Sequence, residues 1–128
     1  MGFSFCYTML LRLLYILPLF YHIHSSPSMH PLCHDDERSA LLQFKQSFTI
    51  EDSASSFPIA CSRVISWTLG ENSTDCCSWD GVDCDEDTGH VIGLDLNSSC
   101  LYGSINSNST LFHLVHLQKL NLADNYFN

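Results

Sequence analysis

The sequence predicts an α/β chain: an amphipathic helix within a disulfide-bonded cap, then about two solenoid coils with short parallel strands. Three observations carry that expectation. Leu94-Asp-Leu96 returns 26 residues later as Leu120-Asn-Leu122. Cysteines crowd the stretch before it, "STDCCSWDGVDC", residues 73–84. Ahead of both, "DDERSALLQFKQSF" sets apolar residues at helical spacing from Asp35 onward.

The same offset places Val91 on Leu117, Ser99 on Asn125 and Leu101 on Phe127. L-x-x-L-x-L-x-x-N-x-L is the leucine-rich repeat, one short strand and a turn per coil. A coil buries its leucines only against the coils above and below, and the Asn side chain bonds backbone groups of the turn. "HVIGLDLNSSCLYGSI" fits the first coil, alternating as a strand does and turning at Gly103. Two coils are too few to stand alone, and the second stops at Asn128 before a match to Gly103. The expectation is therefore the front of a longer solenoid, or a truncated gene product. Leu120, Leu122 and Phe127 are expected to leave apolar surface and an open strand edge on the end coil.

In the helix, Asp35 or Asp36 is expected as the cap, with Ala40, Leu41, Phe44 and Phe48 forming the buried stripe. Residues 49–75 are polar, serine-rich and broken by Pro58, so they read as a loop. Within it, "RVISWTLG" supplies a buried turn through Val64, Ile65 and Trp67. Trp67 and Trp79 flank the paired cysteines, where indoles fill the space around sulfurs.

The first 28 residues are apolar almost throughout and read as a secretory leader, cleaved between Ser25 and Met29. No second apolar stretch of spanning length follows. The chain carries five Lys and Arg against fourteen acids, a net charge of −9, so no basic stripe exists to neutralise a phosphate backbone. Nucleic acid is thereby excluded as a partner. Without Cys6 six cysteines remain, the even count expected of a disulfide framework in an oxidising compartment. Asn72, Asn97 and Asn108 each open an N-x-S/T sequon and are the expected glycosylation sites.

Other chemistries fit the spacing poorly. Cys76, Cys77, Cys84 and His90 lack the paired C-x2–4-C knuckles of a structural zinc site. Asp83, Asp85 and Asp87 open like a calcium loop, but Thr88 stands where its glycine belongs and Leu94 where its bidentate glutamate belongs. A solvated acidic turn is the better account. There is no C-x-x-C, no Lys or Arg next to a cysteine to stabilise a thiolate, and no hydrolase motif. No metal, no cofactor, no catalytic residue and no enzyme activity are expected. Six cysteines allow fifteen disulfide connectivities, and excluding a strained bond between the neighbours Cys76 and Cys77 still leaves twelve. In an extended segment those neighbours point opposite ways, one back toward Cys33 and one forward to Cys84.

Together "CHDDERSALLQFKQSF" and "SWTLGENSTDCCSWDGVDCDEDTGHVIGLDL" resemble the plant-type N-terminal cap of leucine-rich-repeat receptors. The following "LYGSINSNSTLFHLVHLQKLNLADNYFN" is similar to the first repeats of receptor-like proteins, which include disease-resistance receptors. The resemblance implies a leucine-rich-repeat solenoid start, with a signal peptide at 1–28, the cap at 29–89 and the first, incomplete repeats at 90–128. It implies disulfides between Cys33 and Cys76 and between Cys77 and Cys84, with Cys61 and Cys100 pairing as the remainder.

For function it implies a non-catalytic extracellular recognition module of defence or developmental signalling. Its partners would be a protein or peptide ligand and a co-receptor kinase. It would be held at the cell surface by a C-terminal span that this sequence does not contain. Ligand contacts in the family fall on later repeats, so no ligand residue carries over. The alternatives are a secreted inhibitor of cell-wall hydrolases of the polygalacturonase-inhibiting type, whose cap is similar, a small disulfide-bonded secreted peptide, and a truncated non-functional remnant.

Overall fold

The computed structural model describes residues 29–56, 61–70 and 75–128. The expected leader, Pro58 and Asn72 lie outside the described residues. The helix α1, Asp35–Gln46, starts at His34, which makes no side-chain cap. Asp35 and Asp36 are not the cap but sit in the first turn with Glu37, where negative charge opposes the positive end of the helix dipole. The helix stops at Gln46, and Phe48 reaches the core from beyond it, its ring 4.9 Å from Phe44.

The polar stretch after α1 holds more structure than a loop. Strand β1, Thr49–Ile50, is followed by a 3-10 turn at Asp52–Ala54 and a short helix α2, Ser62–Ile65. In α2 Val64 is fully buried but Ile65 is 54% exposed, so one turn of helix sends these neighbours to different sides. A second 3-10 turn, Cys76–Ser78, leads into β2, Val82–Cys84. Then follow β3 (Val91–Asp95), β4 (Leu101–Gly103), a 3-10 turn at Thr110–His113, β5 (Lys119–Asn121) and β6 (Tyr126–Phe127).

These strands form two three-stranded sheets, ordered β2-β3-β5 and β1-β4-β6. In each, a cap strand pairs antiparallel with the first coil, and the second coil pairs parallel with the first. The cap thus covers the free edge of both sheets on one side. The core lies between them and α1: Ala40, Leu41 and Phe44 meet Val91, Leu94, Leu96, Leu101, Leu111 and Leu114, with Trp67 and Trp79 at one end. Thr110 fastens the following turn to the helix by donating its hydroxyl to the carbonyl of Ala40 at 2.8 Å.

The 26-residue period holds in the first sheet, where Leu94 pairs with Leu120 and Asp95 with Asn121. It fails in the second. There Gly103, not Leu101, pairs with Phe127, and Tyr102 stacks on Tyr126 at 5.0 Å. The first coil turns through two left-handed residues, Ser98 and Cys100, and the second through Asp124 alone. The first coil therefore takes a longer path between its two strands, and a period counted in letters cannot register that.

Candidate functional site: the cystine-bound cap and the face it leaves open

Cys33, just before α1, is joined to Cys76, with Cα atoms 5.4 Å apart. Cys77 is joined to Cys84 at 5.5 Å, and Cys61 to Cys100 at 5.0 Å. The neighbours Cys76 and Cys77 occupy a 3-10 turn, not an extended segment, yet bond in different directions. Asp75 sets that turn, its Oδ1 accepting from the amides of Cys77 at 3.1 Å and Cys33 at 2.9 Å. One carboxylate thereby ties an end of the first disulfide, Cys33, to an end of the second, Cys77. Trp67 and Trp79 stack at 5.5 Å, and the Trp67 indole N–H donates to the carbonyl of Asp80.

Two groups of potential metal ligands occur among the described residues, Cys33 with Cys76 and Cys77, and Asp52 with Cys61 and Cys100. Every cysteine in them is in a disulfide and has no thiolate to offer. The acidic run forms the turn between β2 and β3. Asp85 folds back on it, its Oδ1 accepting from Thr88 N–H, Thr88 hydroxyl and Asp87 N–H. The Thr88 bonds, followed by that from Asp87, hold the Asp85 carboxyl below its ordinary value. Gly89 leaves the turn at φ 74°, packed so close to the Leu32 carbonyl that a Cβ would collide.

One charged residue on the buried stripe escaped the sequence reading. Glu37 is 3% exposed, and its Oε2 accepts from the amide of Val91 at 3.1 Å. Its Oε1 meets Nδ1 of His90 at 3.4 Å. His90 is the middle ring of a stack, 3.9 Å from His34 and 3.8 Å from His116. Both signals were present in the letters. Glu37 precedes Ala40 and Leu41 by one helical turn, and His90 and His116 share the leucine period.

The outer face of the β2-β3-β5 sheet is open. Along β3 and β5, Leu94 and Leu120 alternate with exposed Asp95, Lys119 and Asn121, which with Asp83 border a groove of about 290 Å³. Arg63 from α2 reaches its rim, donating to the Asp95 carbonyl at 3.0 Å and lying 3.6 Å from the carboxylates of Asp80 and Asp95. On the far side β5 and β6 are edge strands, with Leu120 47% and Tyr126 53% exposed. Of the predicted sequon residues, Asn97 and Asn108 lie exposed in turns.

Comparison with known proteins places this geometry. Residues 34–85 match the leucine rich repeat N-terminal domain. Receptor-like protein 7 of Arabidopsis thaliana is 48% identical over 115 residues, 90% of this chain and 10% of its own length. The chain is similar to the N-terminal part of plant leucine-rich-repeat receptor-like proteins. Among these, Receptor-like protein Cf-9 of Solanum pimpinellifolium is 46% identical over 80% of this chain and 12% of its own. A solved leucine-rich-repeat ectodomain, that of the Arabidopsis receptor kinase HAESA bound to an extended IDA peptide hormone, superposes with a TM-score of 0.56. It is 29% identical and covers 73% of this chain and 13% of its own. The chain thus spans about a tenth of the length of the receptor-like proteins it matches. Among its described residues no helix is long and apolar enough to cross a membrane.

Proposed function

We propose that this chain supplies the cap and first repeats of an extracellular recognition ectodomain. In this reading residues 1–28 are a cleaved leader, 29–89 the cap and 90–128 the first repeats. The supporting observation is the one-sided closure of both sheets. Cap strands β1 and β2 cover one edge, with disulfides fixing them, while β5 and β6 leave the opposite edge in parallel register for another coil. A cap of this kind seals the apolar end of a solenoid and lets coils stack outward from it.

The module is non-catalytic and works at the cell surface. Its ligand is a protein or peptide, by likeness to the HAESA ectodomain, whose solved complex holds a peptide hormone. A co-receptor kinase supplies the signalling step. Asn72, Asn97 and Asn108 carry glycans. A chimera tests the reading: residues 1–128 replace the corresponding segment of Receptor-like protein 7 in plant cells. The expected product reaches the plasma membrane with a new N-terminus between Ser25 and Met29. A product that stays in the cytosol, or keeps Met1, overturns the proposal.

A further inference from the structure

Asn97-Ser98-Ser99 differs from an ordinary surface sequon because only its asparagine faces solvent. Asn97 is exposed, but Ser99, whose hydroxyl completes the acceptor motif, is fully buried. Its Oγ has no hydrogen-bond partner and no solvent contact. Ser98 between them is 6% exposed and left-handed at φ 54°, its amide donating to the Ala123 carbonyl at 3.0 Å and its hydroxyl to Asp124. Cys100, the next residue, is fully buried, donates its amide to Ser55 Oγ at 2.8 Å and is bonded to Cys61. The recognition half of the sequon is therefore walled in by the second coil, the cap and a covalent bond.

We infer that Asn97 accepts a glycan only before Cys61 and Cys100 join, so that glycan transfer and disulfide closure compete for one stretch of chain. A transferase reads asparagine and the hydroxyl two residues on as one unit, and both must be presented together. Once the bond closes, presentation requires local opening of buried structure, and the reaction slows by the rarity of that opening. Asn108 provides the internal contrast. It follows Cys100 and lies outside all three disulfide loops, and Thr110 of its sequon, although bonded to the Ala40 carbonyl, is only half-buried, so closing Cys61 to Cys100 encloses neither residue. The inference rests on the extracellular reading above only for its occurrence in the cell. The sealing itself is a property of the folded chain.

Two measurements test it. In a eukaryotic secretory host, site occupancy is read by peptide mass spectrometry for the wild type and for Cys61→Ser, which leaves residues 97–100 unchanged. Occupancy at Asn97 is expected to rise in the variant, with Asn108 unaltered; equal occupancy at Asn97 below saturation overturns the inference. In the second arm the unglycosylated full chain, oxidised or reduced and alkylated, is offered to a purified oligosaccharyltransferase. Transfer to Asn97 is expected to be at least about tenfold faster on the reduced chain. Equal rates on both forms overturn the inference. Glycans absent from every sequon in the cell, with a normal result in the second arm, would count against the extracellular reading and leave the sealing supported.

Discussion

Glu37 and Val91 join the cap to the first coil through a buried hydrogen bond, the strand amide donating to the helix carboxylate at 3.1 Å. The site is closed to water on the helix side, since Glu37 is 3% exposed and Val91 fully buried. Removing the carboxylate leaves a buried amide without an acceptor. Glu37→Ala is expected to lower the unfolding free energy by about 1–3 kcal/mol, and Glu37→Gln, which keeps one carbonyl oxygen, by less. Urea denaturation at neutral pH measures both. An alanine variant as stable as wild type would mean that the bond contributes nothing.

That relationship also marks where the letters were readable. The stripe Ala40, Leu41, Phe44 and the repeat Leu94/Leu120 follow simple periods, 3.6 on a helix and 26 between coils, and both positions lie where those periods put them. The role of Glu37 is not legible from the letters alone, because an acid on a buried stripe is informative only once its partner is known. That partner, Val91, is 54 residues away. Strand β1 is not legible as a strand for a related reason. Two residues, Thr49 and Ile50, carry no periodicity, and their extended form is dictated by pairing with Tyr102 and Leu101. The slip in the second sheet arises at Ser98 and Cys100, where backbone conformation rather than composition sets the path.

Ser99 and Asn125 hold the same place in the 26-residue sequence repeat but bond unequally. Asn125 donates to the carbonyls of Leu96, Leu122 and Ala123 and accepts from the amide of Leu101 at 3.0 Å, whereas the buried Ser99 hydroxyl bonds nothing. In unglycosylated protein, Ser99→Ala is expected to be neutral or stabilising, because it removes a desolvated hydroxyl and no bond. Asn125→Ala is expected to cost about 1–3 kcal/mol. Thermal melts of the two variants decide it, and a serine variant less stable than the asparagine variant would contradict the assignment.

Asp85 gives the acid limb of stability a definite sign. Hydrogen bonds from Thr88 and Asp87 hold its folded carboxyl below its ordinary 3.8. A group depressed in this way stabilises the fold while ionised, so its contribution is complete above that value and is lost as pH falls through the lower folded pKa. Asp85→Asn keeps an acceptor oxygen but cannot titrate. Melting temperatures followed from about pH 5 to about pH 2 should therefore fall less steeply for the variant than for wild type. Parallel curves would show that the turn makes no use of the charge.

The disulfides should rank by the length of chain they close. Cys33 and Cys76 are 43 residues apart, and Cys77 and Cys84 only 7. Chain entropy then assigns about 4 kcal/mol to the first bond and about 2.4 kcal/mol to the second, the longer loop having more unfolded conformations to lose. Packing favours the same order, since Cys33 and Cys76 are buried in the core and Cys77 and Cys84 are half-buried. Paired serine replacements, Cys33→Ser with Cys76→Ser and Cys77→Ser with Cys84→Ser, avoid stray thiols and allow direct comparison. The first pair should leave the chain much less resistant to urea, because the lost constraint acts on the unfolded state. The opposite order would mean that the small loop around Trp79 supports the fold through native contacts that outweigh the entropy of the longer closure.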